Sequence, residues 1–165
     1  LIVNAYLDDD SYERLAGITT YVVNTAHGEG QCLPLMEFMS CGKPAVASRN
    51  TSMVDYLDEG NAFIVKSTVE PSIWPHDPRL AFRTLRHRMD FESLVAAYRE
   101  SYRVAKEDPR RYARMSEHAT ETLKGHCSEE VVIEKLRAFL ANGGGAQRRE
   151  DGAPSAQPLK LVPLA

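Results

Sequence analysis

Apolar positions in the first 65 residues fall into short strand-like runs separated by helical spacings. Leu1-Ile2-Val3 has the continuous apolar character of a buried parallel strand. Asp8 to Asp10 offer N-caps for a helix through Tyr12, Leu15 and Ala16 that closes near Gly17. Thr19-Thr20-Tyr21-Val22-Val23 is β-branched and aromatic and predicts a strand. A Gly-containing loop follows, then a helix from about Leu33 to Cys41, with Gly42 as its stop and Pro44 beyond. Ala45-Val46-Ala47 reads as a strand, Met53 to Leu57 as a short helix and Glu59-Gly60-Asn61 as a turn. Ala62 to Val65 reads as a further strand. Strand and helix alternating through short loops predict right-handed crossovers and an α/β fold with a doubly wound parallel sheet.

The pattern changes after Lys66. Thr68 to Pro78 holds Pro71, Pro75 and Pro78 with the single tryptophan, Trp74, and reads as an irregular connection. Helical spacing then covers Pro78–Arg88, Phe91–Lys106, Arg110–Lys124 and Ser128–Ala141. Phe91, Leu94, Val95, Tyr98 and Tyr102 form an apolar stripe expected to pack into a core. Asp108-Pro109 supplies an N-cap and a first-turn proline, and Ser128-Glu129-Glu130 an acidic helix start. From Asn142 the glycines, charges and prolines cannot build a core, and a disordered tail is expected. The resulting organisation is an α/β sheet domain over 1–66 and an irregular connection with a short helix over 67–90. C-terminal helices follow over 91–141, and the tail occupies 142–165.

Composition narrows the function. A net charge of -3 gives no global attraction to nucleic acid. Basic side chains cluster at Arg79, Arg83, Arg86, His87 and Arg88, and again at Arg110, Arg111 and Arg114. These read first as a solvated helix face, the alternative being a polyanion-binding patch or one for peripheral membrane association. Three cysteines show no metal-ligand spacing and no disulfide framework, which favours a reducing, cytoplasmic setting. The alternative placement is the inner face of the membrane. No metal site is expected, since the five histidines lack ligand spacing. No apolar run reaches the ~18 residues of a membrane span, and nothing at the start resembles a signal peptide. The chain begins at Leu1 inside a strand-like run, as expected of a fragment with part of its active site elsewhere.

The most specific chemistry lies in Glu29-Gly30-Gln31-Cys32-Leu33-Pro34-Leu35-Met36-Glu37. Glu29 stands between Gly28 and Gly30, where backbone can turn left-handed and approach a ligand closely. A strand running into such a loop and then a helix start binds phosphate on free backbone N–H groups. The expected ligand is a phosphorylated small molecule, with the two carboxylates holding hydroxyls. Glu37 lies among Leu35, Met36, Phe38 and Met39, where a carboxylate needs a partner. The plainer readings are a loop-ordering Glu29 and an exposed helical Glu37. Cys32 has no partner base assignable from sequence, and thiol catalysis is not expected. His27 reads as a loop residue facing the ligand pocket or solvent.

Those nine residues, continued by Phe38-Met39-Ser40-Cys41-Gly42-Lys43-Pro44-Ala45-Val46-Ala47-Ser48, resemble the E-x7-E region of family-4 (group 1) glycosyltransferases of the GT-B fold. The usual form there is close to EGFGLPLLEAMACGTPVVAS. The resemblance is gapless over about twenty residues, and weaker likeness takes in the start to about Val65 and the helices after Asp108. It implies a Rossmann-like C-terminal donor-binding domain of a retaining transferase. Such an enzyme moves a hexose-type sugar from a nucleotide-diphosphate sugar to a glycan or lipid-linked acceptor. No cofactor or metal is implied beyond the donor substrate. By position, Glu29 is the catalytic-centre carboxylate facing the sugar. His27, Gly28, Gly30, Gln31 and Cys32 line the donor pocket, Leu33 and Pro34 frame the diphosphate, and Glu37 holds the ribose. An N-terminal GT-B domain would supply the acceptor side and the diphosphate-clamping bases.

Three departures stand out. Gln31-Cys32 replaces the common Phe-Gly, Thr51-Ser52 stands where Gly-Gly is frequent, and Asp55 takes the place of a Glu just beyond. The 68–88 segment matches no element of the family. The alternatives are a non-catalytic nucleotide-sugar-binding or scaffold module of the same fold and, further off, a sugar-nucleotide epimerase.

Overall fold

The computed structural model describes residues 6–73, 76–79, 81 and 83–141; the expected first strand, Trp74 and the expected tail lie outside them. Residues up to Ser128 form one compact unit, and the segment from Glu129 forms a second. In the first unit, helix α1 (Asp9–Ile18) is capped by Asp8, whose side chain accepts from the Ser11 amide at 2.8 Å. Strands β1 (Val22–Asn24), β2 (Ala45–Ser48) and β3 (Ala62–Val65) form a parallel sheet in that order. Between β1 and β2 runs helix α2 (Leu33–Ser40), and between β2 and β3 a 3-10 turn, Thr51–Asp55. The strand expected over Thr19 to Val23 is shorter and shifted, because Thr19 is spent capping α1.

The segment 67–90 corrects the sequence expectation. It is a two-stranded antiparallel ribbon of β4 (Ser67–Ile73) and β5 (Arg83–Met89), with no helix in its described residues. Leu85, His87 and Met89 alternate with Thr84, Arg86 and Arg88 along β5, a period of two that the arginine count obscured. Arg86 sits opposite Glu70 and pairs with it at 2.6 Å, and Arg88 approaches the same carboxylate at 3.8 Å. Arg83 to Arg88 of the basic cluster therefore lie on a ribbon strand and not on a helix face, with Arg86 and Arg88 on the side that meets Glu70. An isolated ribbon is marginal in water; this one is tied at its base by the Asp90 amide to the Lys66 carbonyl, 2.9 Å.

Helices α3 (Phe91–Glu107) and α4 (Pro109–Cys127) complete the unit. They are not a domain apart from 1–66, as their side chains build both cores. Ala45, Ala47 and Ala62 on one sheet face meet Leu35, Met36 and Met39 of α2 with Ala119 and Leu123 of α4. Val46, Phe63 and Val65 on the other face meet Ala97 and Val104 of α3 with Met115 of α4. The expected aromatic stripe is only partly core: Leu94 packs inward, but Phe91 and Tyr102 are about 70% exposed and Tyr98 is also exposed. The buried face runs instead through Ala97, Ser101 and Val104, small residues that let α3 lie close to the sheet.

α4 crosses the amino ends of all three strands. Its Tyr112 hydroxyl donates to the Thr20 carbonyl (2.9 Å) before β1, and Ser116 to the Gly42 carbonyl (2.6 Å) before β2. His118 meets Asp58 at 3.0 Å, and Thr122 accepts from Asn61 at 3.4 Å, both before β3. Gly42 has φ +72°, and a Cβ there would stand 2.7 Å from Ser116 Oγ. Gly42→Ala is accordingly expected to cost about 1–3 kcal/mol in chemical denaturation, from left-handed strain plus the displaced serine. With the amino ends closed, the carboxyl ends remain for a site.

The second unit's helix α5 (Glu129–Ala141) starts with Glu129 and Glu130 in its first turn and buries none of its residues. Among the described residues no helix is long and apolar enough to cross a membrane.

Candidate functional site

β1 ends at Asn24, and the chain turns through 25–32 before entering α2. Asn24 organises that turn with one side chain. Its Oδ1 accepts from the Ala26 amide (2.8 Å), while Nδ2 donates to Cys32 Sγ (2.8 Å) and to Glu29 Oε1 (3.4 Å). The loop and the head of α2 border an open cleft of about 540 Å³ lined by Val22, Val23, Asn24, Glu29, Gln31, Cys32, Leu33, Pro34 and Leu35. Glu29, half-buried, is the charged member of that lining. The cleft lies beyond the carboxyl end of a parallel strand, where open α/β sheets hold ligands. Leu33 and Pro34 occupy the first helical turn and are exposed toward it.

Five expected site residues, Glu29, Gln31, Cys32, Leu33 and Pro34, thus meet in one place, and four do not line it. His27 turns to the ribbon: its Nδ1 donates to the His87 carbonyl (2.7 Å) and its own carbonyl accepts the His87 amide (2.8 Å). Holding that bond fixes the proton on Nδ1, so His27 braces the loop from outside the pocket. Gly28 and Gly30 correct a second expectation, since neither has positive φ. A Cβ on Gly28 would touch Thr51 at 3.5 Å, and one on Gly30 would meet nothing within 4 Å.

Left-handed geometry falls instead on Cys32 (φ 55°) and Thr51 (φ 44°). Each such non-glycine residue costs about 1–3 kcal/mol and persists only where its surroundings impose it. Both are positions where the resembled pattern has glycine. Cys32 is buried at the α2 N-cap. Burial pushes its thiol pKa up and the Glu29 carboxylate adds to this, against the pull of the Leu35 amide and Asn24. The thiol therefore stays protonated at neutral pH and is a weak nucleophile. Under iodoacetamide at pH 8, Cys32 is expected to alkylate at least about tenfold more slowly than exposed Cys41, read by peptide mass spectrometry.

Glu37 lies outside the cleft lining. It is exposed on the outer face of α2, away from the buried Leu35, Met36 and Met39, as the plainer reading has it. The partner a carboxylate needs there is Tyr12 of α1, whose hydroxyl donates to Glu37 Oε2 at 2.6 Å. That bond, with burial and the negative charge, pushes the Tyr12 pKa up to about 12. Tyr12 also meets Phe38 edge-on at 5.7 Å, which fixes the ring.

Sequence reasoning missed Tyr12, Asn24 and Tyr56 as site supports. Tyr56 is buried and donates to the Gln31 carbonyl at 3.0 Å, fastening the loop from the 3-10 turn side. Only Asn24, as the polar residue ending an apolar strand, carried a sequence signal. Among the described residues no group of His, Cys, Asp or Glu has the arrangement to hold a metal ion. No protein-family model matches the chain, and no curated protein matches it.

Proposed function

We propose that this chain is the donor-binding part of a retaining, sugar-nucleotide-dependent glycosyltransferase, with a Rossmann-like, GT-B type doubly wound domain. The observation that carries the reading is the convergence of Glu29, Gln31, Cys32, Leu33 and Pro34 on one cleft at the end of β1. Glu29 faces the hexose near its reacting carbon, and Gln31 reads a sugar hydroxyl. The head of α2 turns the positive end of its helix dipole to the diphosphate. Stabilising the departing diphosphate in this way is electrostatic catalysis. A glycan or lipid-linked acceptor approaches from a second, N-terminal domain, which also brings the basic side chains that the cleft lining lacks. Glu37, outside the cleft lining and oriented by Tyr12, accepts from a ribose diol that extends past the cleft along α2.

Titration of UDP-glucose and GDP-mannose into the protein and its Glu37→Ala variant is expected to show about 10–100-fold weaker binding in the variant, the loss of charge-assisted hydrogen bonds. Equal affinity in both would remove Glu37 from the site.

A further inference from the structure

A chain of hydrogen bonds runs from the buried end of β2 to the backbone of Glu29. Ser48 and Asn50 are almost completely buried, and Asn50 Nδ2 donates to Ser48 Oγ at 2.6 Å. The Thr51 hydroxyl donates to Asn50 Oδ1 at 3.1 Å. Its single proton being spent there, the Thr51 oxygen accepts the Glu29 amide at 3.0 Å. Ser52 Oγ then donates to the Glu29 carbonyl at 3.2 Å. Two consecutive hydroxyls hold both backbone polar groups of a single residue, the carboxylate-bearing residue of the cleft.

The geometry of Thr51 gives this clamp its cost and its direction. A β-branched residue at φ 44° is a strained position, and the buried Ser48–Asn50 pair supplies the fixed acceptor that holds it there. Glu29 by contrast stands between two glycines, and an unrestrained loop of that kind samples many conformations. We propose that Asn50, Thr51 and Ser52 are positioning residues that fix the Glu29 backbone and aim its carboxylate into the cleft. Their role in sugar recognition rests on the donor-site reading above; the clamp itself does not. Thr51 and Ser52 act through Glu29 and need no contact with the ligand.

The test separates the two. Thr51→Val keeps the branched shape and removes the accepting hydroxyl, Ser52→Ala removes the donor to the Glu29 carbonyl at an unstrained position, and Thr51→Ser restores the hydroxyl. Hydrogen exchange of the Glu29 amide, followed by NMR without ligand, is expected to be about tenfold faster in Thr51→Val and near parental in Thr51→Ser. Ser52→Ala is expected to speed exchange at Glu29 and Gly30. Unchanged exchange in both Thr51→Val and Ser52→Ala overturns the clamp.

In parallel, UDP, GDP, UDP-glucose and GDP-mannose are titrated into each form. Thr51→Val is expected to weaken the bound sugar nucleotide about 5–20-fold while its parent diphosphate changes less than about twofold. A purely structural role would move both together or neither. Faster exchange with undiminished preference for the sugar nucleotide overturns the positioning role. A parent protein that binds none of the four overturns the donor-site reading and the positioning role with it, while exchange alone still decides the clamp.

Discussion

On the proposed function, Glu29→Gln is expected to lower the rate of sugar transfer by about 100–1,000-fold, the scale on which removing one electrostatic contributor from a reacting centre acts. The substitution keeps the size of the side chain and an oxygen for the Asn24 amide, which now reaches Glu29 Oε1 at 3.4 Å. Both backbone ties, to Thr51 and Ser52, are also retained. Folding stability should therefore stay within about 0.5 kcal/mol of the parent, as for half-exposed positions generally. The contrast between a large kinetic loss and a small thermal shift is the diagnostic. The comparison is single-turnover transfer with the proposed acceptor domain present, beside a calorimetric scan. A variant within about threefold of the parental rate would show that the carboxylate does no work at the reacting carbon.

Met39→Ala carries the largest expected loss of stability, about 2–4 kcal/mol. Met39 is fully buried on α2 and packs with Ala45 and Ala47 of β2, Ala62 of β3 and Leu123 of α4. All three of those sheet neighbours are alanines, so the long, flexible thioether is what fills the space between helix and sheet. Short side chains on a hydrogen-bonded sheet cannot move in to close a void, and most of the cavity term remains. In urea the midpoint should fall by about 1–2 M with the slope unchanged. A shift corresponding to less than about 1 kcal/mol would mean that α2 relaxes onto the alanines. In that case the Glu29 loop, attached at the head of the same helix, should move with it and lose ligand affinity.

Segments with strong periodicity and explicit caps were legible residue by residue. Asp8 and Asp108 each accept from an amide three positions on, where a capping residue belongs. Gly42 ends α2 in the left-handed conformation its position suggested. Local chemistry decides these features, and local chemistry is written in the sequence. The ribbon of β4 and β5 was not legible, because its arginines hide a period of two and its stabilising partners, Glu70 and the His27 loop, are remote along the chain. The face of α3 was misjudged for a related reason: the sheet selects the small residues Ala97 and Ser101 for close approach over the larger tyrosines.

The site divides along the same line. The sequence by itself determined that a strand, a glycine-flanked carboxylate and a proline-led helix follow one another, which suffices to set Glu29 beside a helix start. Only the tertiary structure decided what the second carboxylate does, since Glu37 finds its partner on α1, 25 positions earlier. It also decided where the strain sits, on Cys32 and Thr51 and not on the glycines: the Asn24 amide at the end of β1 donates to Cys32 Sγ, and the Thr51 hydroxyl, held by Asn50, accepts the Glu29 amide. Such bonds cost chain entropy to bring together and leave no periodic trace, so they become visible only when the sheet has aligned the ends of β1 and β2.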